Sequence, residues 1–218
     1  MIVYGSTISP FVRKVVAFAA EKGIAVTVTP GGMGRGGPDF LEASPFRKMP
    51  ALRDPGADDG RDFILSDSTA IVAYLEAKQP DPNLIPTAAA ARARTIWFEQ
   101  FASTIVTAAG SKMFFNRMVA PRFLKQPGDA AAADAAERDE MPPILDYLER
   151  IAPAPGGFLI DERVTLADLA VASPFANLAL IGFDLSRWPR VQAWVDSVLA
   201  RPSFACVASD RAMIAALP

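Results

Sequence analysis

Apolar side chains recur at two different spacings over the first eighty residues. Ile2 to Tyr4 and Ala25 to Thr29 are short strand-like runs, and between them Phe11, Val15, Phe18 and Ala19 share one face of a helix running from Phe11 to Lys22 and ended by Gly23. A stretch without clear periodicity follows. Met49 to Arg53 and Phe63 to Leu65 then read as two strands joined by the polar, glycine-containing turn Asp54 to Asp62, and Asp67 to Lys78 returns to helix. Parallel first strands require a helical crossover and the last two can form a hairpin, so the order predicts a small mixed sheet with helices packed on it.

The proline-rich segment Gln79 to Pro86 interrupts this pattern, and no strand signal appears after it. A domain boundary is expected there, with domains at 1–80 and 87–218. Ala88 to Arg122 predicts one long helix or a helix pair, with Trp97, Phe101 and Ile105 at i, i+4 and i+8. Ala130 to Ile151 is helical in composition, but Pro142 and Pro143 must start, kink or divide it. Leu166 to Ile181, Pro189 to Ala200 and Ser203 to Ala216 complete a helical domain.

Composition narrows the chemistry. The 218 residues are 51% hydrophobic and 21% charged, which suits two small globular domains. Lys plus Arg (22) nearly balance Asp plus Glu (24), so there is no basic field to gather phosphates and nucleic acid is not an expected partner. The single cysteine, Cys206, has no intramolecular disulfide partner, which fits a reducing cytoplasm. Met1 to Tyr4 does not open a secretory signal, and the apolar run Leu166 to Phe183 contains Asp168, Pro174 and Asn177, which argues for a buried helix and against a membrane partner. The chain has no histidine, which excludes His-dependent triads. With one cysteine it also excludes a thiolate or imidazole zinc cluster; carboxylate metal sites stay open, and no metal is expected. An enzyme built this way receives its nucleophile with a cofactor.

Four short motifs carry candidate chemistry. Ser9-Pro10-Phe11 places a serine at N-cap and a proline at N1 of the first helix. The Ser9 oxygen can accept from the N–H of Phe11 or Val12 while its hydrogen points at a thiolate, which the helix N-terminus also favours. Lowering a thiol pKa of ~8.5 by about two units takes roughly 2.7 kcal/mol, within reach of those two effects. Lys48-Met49-Pro50 opens a strand with proline, a position suited to an edge that pairs with a peptide, whereas an ordinary X-Pro bond is trans. Ser66-Asp67-Ser68 opens the third helix, either as a simple cap or as an anion site with a carboxylate beside it for an ammonium. Gly32-Met33-Gly34-Arg35-Gly36-Gly37 satisfies the G-x-G-x-x-G spacing, but Pro38 and Asp39 put any helix after the glycines, which rejects a dinucleotide site.

In this order the motifs resemble the glutathione S-transferase family, in its cytosolic, Ser-type, bacterial-like branch. Ser9-Pro10-Phe11 resembles the family's serine loop of the tau, phi, zeta and bacterial branches, Met49-Pro50 its cis-proline before the third strand, and Asp67-Ser68 its Glu/Asp-Ser pair. In the second half, Gly157-Phe158-Leu159-Ile160 followed by Thr165-Leu166-Ala167-Asp168 resembles the family's N-capping box, with Val164 and Leu169 as the hydrophobic staple. Asp161 stands where the family often has glycine, and aspartate tolerates φ > 0.

The resemblance implies a thioredoxin-like domain at 1–80 that holds glutathione and an all-helical bundle at 87–218. It implies that Ser9 donates to the glutathione sulfur, with Ser6 the other hydroxyl on that loop. Phe11, Lys48, Met49, Pro50, Asp67 and Ser68 would bind glutathione, the Met49 backbone pairing with the cysteinyl unit and Asp67 and Ser68 holding the γ-glutamyl end. Ile8, Trp97, Phe101, Met113 and Phe114 would line the pocket for a small hydrophobic electrophile, although aromatic and Met stripes on helices are more often core. Phe46 would contact the second subunit of a homodimer or pack in the local core. The Gly31 to Gly37 loop would lie flexibly over glutathione, with Arg35 matching no glycyl-carboxylate contact. Arg13, Lys14 and Arg117 are expected to be solvated. A non-catalytic glutathione-fold binding protein is the alternative; a glutaredoxin-like or omega-type oxidoreductase needs a cysteine at or beside position 9, which is absent.

Overall fold

The structure, a computed structural model, describes residues 1–32 and 34–216, so Met33 of the glycine-rich motif and the last two residues of the helical domain lie outside the described residues. The chain divides into two compact units, Met1–Ile85 and Pro86–Pro218.

The first unit runs β1 (Ile2–Tyr4), α1 (Pro10–Glu21), β2 (Thr27–Thr29), α2 (Pro38–Ala43), β3 (Ala51–Asp58), β4 (Arg61–Ser66) and α3 (Ser68–Lys78). Its four strands are ordered β2-β1-β3-β4, with β1 and β2 parallel and the other pairs antiparallel, a thioredoxin-like sheet. The two-residue period of the strands sorts their side chains. Ile2, Tyr4, Ala51 and Ile64 meet Phe40 and Ala43 of α2 on one face, while Val3 and Leu52, paired in register, are fully buried on the other. Helix α1 buries Val12, Val15, Phe18 and Ala19 completely, and Phe11 stays half-buried.

Three expectations change. Helix α2 occupies the stretch without periodicity: Pro38 takes N1, and Phe40 and Ala43 bury one turn apart. Six residues give a single i, i+3 pair, too little to register as a period. Strands β3 and β4 extend through the expected turn, which shrinks to Asp59-Gly60, both at positive φ as a two-residue hairpin requires. Pro55 and Gly56 resemble a turn but fall within a bulge between Asp54 and Asp58. Finally, Arg13 and Lys14 are buried, not solvated, at 0% and 2% exposure. Arg13 donates to the Ile8 carbonyl at 3.5 Å and Lys14 lies 6.0 Å from the Phe11 ring.

The second unit is helical: α4 (Ala89–Gln100), α5 (Thr107–Phe114), α6 (Ala130–Ala135), α7 (Met141–Ile151), α8 (Leu166–Leu180), α9 (Pro189–Leu199) and α10 (Cys206–Ala215). Wide π-helical turns at Phe101–Val106 and Phe115–Phe123 keep the chain helical from α4 past α5, and a third at Ala136–Glu140 carries α6 into α7. The third lies just before Pro142 and Pro143, where a regular α-turn would set the proline ring against a preceding carbonyl. Helix α8 is buried on every side from Leu166 to Leu178 and packs against α4, α5 and α9. Its start is the expected capping box: Thr165 N–H donates to Asp168 Oδ2 at 2.9 Å, and Leu159 N–H donates to Oδ1 at 2.8 Å. Burial pushes the Asp168 carboxyl up to about 6, although the donors from Leu159 and Thr165 oppose it. Asp161, in the loop before the box, sits at φ +59. Among the described residues no helix is long and apolar enough to cross a membrane.

Candidate functional site

Strand direction collects the motifs. β1 and β2 run the same way, so the loops after Tyr4 and Thr29 emerge at one end of the sheet. β3 is antiparallel to β1, with Tyr4 opposite Ala51, so the residues before Ala51 lie at that end too. Ala51 pairs with Ser66, which brings the end of β4 and the start of α3 to the same place. Residues 5–9, 30–32, 44–50 and 66–68 therefore share one edge. Met49 is at its centre: a Cβ on Gly5 would come within 3.4 Å of the Met49 Cβ, and one on Gly32 within 3.0 Å of its Sδ. The glycines allow both neighbouring loops to press against Met49.

Ser9 is the N-cap of α1 in extended conformation, with its N–H on the Ser6 carbonyl and its own carbonyl accepting from Arg13 N–H, each at 2.9 Å. Its hydroxyl makes no bond to the helix, which corrects the expected cap to Phe11 or Val12. Pro10 at N1 has no N–H to offer. The helix N-terminus is thus left uncapped by a side chain, with a half-buried hydroxyl beside it. Ser6 is exposed and Ile8 half-buried on the same loop.

The Met49-Pro50 peptide bond is cis. Pro50 O accepts from Asp67 N–H at 3.3 Å, joining this turn to the start of α3. No described residue bonds the main-chain N–H or C=O of Met49, which presents a short edge for a peptide. Asp67 is exposed at φ +90 and caps α3, its Oδ1 accepting from Thr69 N–H at 2.9 Å and Ala70 N–H at 3.1 Å. Two donors of the helix start are consequently occupied, and Ser68, buried at N1, is what remains for an anion. Both sequence-based roles of Asp67 are compatible: one oxygen caps and the other is turned to neither amide.

Phe46 is 85% exposed, which removes the local-core alternative for it. Arg35, Arg47 and Lys48 are exposed and form no ion pair with a described residue. Sequence reasoning missed Ser44, which is 1% exposed and hydrogen-bonds the Lys48 main chain. The only signal for it was a Ser-Pro pair, which marks turns in general.

In the helical unit, Trp97 is 47% exposed and stacks on Phe101 with ring centroids 5.3 Å apart. It lines a cavity of about 270 Å³ with Arg94, Phe98, Tyr147, Leu159 and Ile160. Phe101 and Phe114 are buried, and Met113 is fully enclosed as core, so it has no surface to offer a ligand. Tyr147 and Leu159 come to this cavity from distant segments with no shared period. Arg117 is partly buried between Asp134 and Glu137, with Asp134 Oδ1 2.7 Å away.

Comparison with known proteins finds relatives over nearly the whole chain. The family described as "Glutathione S-transferase, N-terminal domain" matches residues 3–83, and "Glutathione S-transferase, C-terminal domain" matches residues 129–197. Glutathione S-transferase 3 of Zea mays is 31% identical over 210 residues, covering 92% of this chain and 90% of its own. A probable glutathione S-transferase, GSTF2, of Oryza sativa subsp. japonica is 27% identical over 96% of each chain. The crystal structure of glutathione transferase F7 from Populus trichocarpa superposes with a TM-score of 0.78 at 25% identity, covering 96% of this chain and 98% of its own.

Proposed function

The chain belongs to the glutathione S-transferase family, and from that premise we propose that it binds glutathione along Met49 and uses Ser9 to hold the sulfur as a thiolate for attack on a hydrophobic electrophile. The single observation that carries this reading is the Ser9 hydroxyl, beside an uncapped helix N-terminus and making no bond to that helix. A hydroxyl that donates to sulfur and a helix start that favours negative charge act on the same atom. Together they supply the roughly 2.7 kcal/mol that two pKa units require.

The remaining contacts follow from the order of the strands. The cysteinyl unit of glutathione would pair with the free main chain of Met49 as a short added strand. Its γ-glutamyl carboxylate would meet the Ser68 amide and hydroxyl, and its ammonium the second oxygen of Asp67. Phe11, Lys48 and Pro50 would frame the peptide. The reaction then needs no further nucleophile: the thiolate attacks an electrophilic carbon, and the protein contributes orientation and charge stabilisation. In the second unit Trp97, exposed at the cavity and stacked on Phe101, is the electrophile-binding candidate; Met113 is left out because it is enclosed. A homodimer is part of the same proposal, with the exposed Phe46 ring as a contact to the second copy.

Glutathione titration by calorimetry, thiolate absorbance against pH and a panel of electrophiles test the reading together. Tight binding with a thiol pKa of about 6.5 and turnover of an electrophile are expected. Binding with a thiol pKa left at ~8.5 and no turnover would instead favour the non-catalytic alternative.

A further inference from the structure

The segment joining α2 to β3 is closed by one buried residue. Ser44 N–H donates to the Phe40 carbonyl and Ser44 O accepts from Arg47 N–H, each at 2.8 Å. Its Oγ accepts from Lys48 N–H at 2.9 Å and donates to the Lys48 carbonyl at 2.6 Å. Both ends of the turn Ser44-Pro45-Phe46-Arg47-Lys48 are therefore tied to the same side chain. Pro45 restricts φ at the turn's first central position, Arg47 reverses the chain at φ +56, and Phe46 stands at the apex. Met49 and Pro50 follow directly, held from the other side by Asp67 N–H on Pro50 O.

We propose that Ser44 is a positioning residue that pre-orders two binding surfaces at once: the Phe46 apex for the second copy and the Met49 main chain for glutathione. The inference rests on the reading of both surfaces given above. Lys48 lies at the exposed surface and its two bonds to Ser44 are only partly buried, so losing the hydroxyl frees the end of the turn and not the buried core. Loss of the hydroxyl consequently loosens the turn more than it destabilises the fold. A loose turn must be ordered again by whatever binds it, and that ordering cost falls on glutathione and on the second copy alike. Whichever binds first then lowers the cost for the other, so binding events that are nearly independent in the native protein become positively coupled.

The test is Ser44→Ala beside Ser44→Thr, which retains the hydroxyl. Glutathione affinity is measured by calorimetry above and below the dimer midpoint, dimerisation by sedimentation with and without glutathione, and the bound thiol pKa by absorbance. For Ser44→Ala, glutathione affinity and dimer affinity should each fall about five- to tenfold, as expected for the loss of one or two net hydrogen bonds. Glutathione should now tighten the dimer, the bound thiol pKa should stay at its native value, and Ser44→Thr should recover both affinities. A drop in melting temperature with both affinities unchanged, or a loss confined to one surface, overturns the proposal and leaves Ser44 as a purely structural cap. If the native protein itself binds no glutathione, the function proposed above fails, and the two-surface role of Ser44 fails with it.

Discussion

Lys22 Nζ lies 2.7 Å from Glu76 Oε2 inside the first unit, an ion pair in which the lysine side chain is completely enclosed. Lys22 also donates to the Pro82 carbonyl at 2.7 Å, and Glu76 Oε1 accepts from Leu84 and Ile85 N–H, each at 3.1 Å, and from the Asn83 side chain at 2.7 Å. One carboxylate thus ties the end of α1, helix α3 and the chain leaving the unit. Glu76→Gln would leave a buried ammonium without its counter-charge and should destabilise by roughly 3 kcal/mol in urea unfolding. Adding Lys22→Met should recover part of that loss, because the amide can still accept from Leu84 and Ile85 while no buried charge remains. Additive losses in the double variant would show that the pair does not couple.

The capping box sets a pH dependence. Asp168 is pushed up to about 6 in the folded chain, mainly by burial, from an ordinary 3.8. The folded state then binds this proton more tightly than the unfolded state does, so the contribution of Asp168 to stability is greatest below about pH 4 and declines as pH rises to about 6. The difference amounts to about 3 kcal/mol at ~1.4 kcal/mol per pKa unit. The stability of the native chain minus that of Asp168→Asn, measured by urea at about pH 4.5 and about pH 7.5, should be smaller at the higher pH. An unchanged difference would mean that the donors to Asp168 cancel its burial.

The elements that sequence makes legible are those governed by adjacent residues. A serine and proline at N-cap and N1 mark α1, a proline before a strand marks the Met49 edge, and the Thr165 to Asp168 spacing marks α8, because each rule acts within one turn. The same locality hides the rest. Phe40 and Ala43 form α2 through contacts with Tyr4 and Ala51 that no local period contains. Ser44 matters through Lys48, and Glu76 through residues 82–85, pairings fixed only once the chain has turned. Arg13 and Lys14 look solvated because charge is usually exposed, yet the helix face they occupy is enclosed. Met113 shows the converse: a side chain suited to a pocket that packing assigns to the core.

Phe46 has almost no cover in the single chain, and burying a phenyl ring at an interface centre contributes about 2 kcal/mol or more. Phe46→Ala should therefore shift sedimentation towards monomer by about thirtyfold in dissociation constant. Trp97→Ala should raise the Michaelis constant for the electrophile with the dimer intact. If it dissociates the dimer instead, the cavity beside Trp97 receives the second copy and not the substrate.

Asp67 separates capping from charge. Asparagine caps a helix about as well as aspartate, so Asp67→Asn keeps the bonds from Thr69 and Ala70 and removes only the negative charge. An exposed ion pair with the glutathione ammonium is worth about 1 kcal/mol, so the Michaelis constant for glutathione should rise roughly fivefold with little change in turnover. A fall in turnover at constant Michaelis constant would place Asp67 in the chemistry.

Ser9 carries the sharpest expectation, because its hydroxyl makes no bond to the helix it begins. Ser9→Ala should still bind glutathione, since Met49, Asp67 and Ser68 are untouched, but the bound thiol's pKa should rise towards ~8.5. The loss of rate should shrink at alkaline pH, where the thiolate forms without help. Stability should change by only a few tenths of a kcal/mol, less than the ~1 kcal/mol of an ordinary cap, because the native hydroxyl makes no cap bond to lose. Ser9→Cys should gain mixed-disulfide chemistry with oxidised glutathione: the introduced thiolate, acidified by the helix start, attacks one sulfur and releases the other as glutathione thiolate. Ser6→Ala serves as the control on the same loop and should leave the thiol pKa where it is in the native protein. If Ser6→Ala abolishes thiol activation while Ser9→Ala preserves it, the donor is Ser6, and the bond from Ser9 N–H to the Ser6 carbonyl serves only to place that residue.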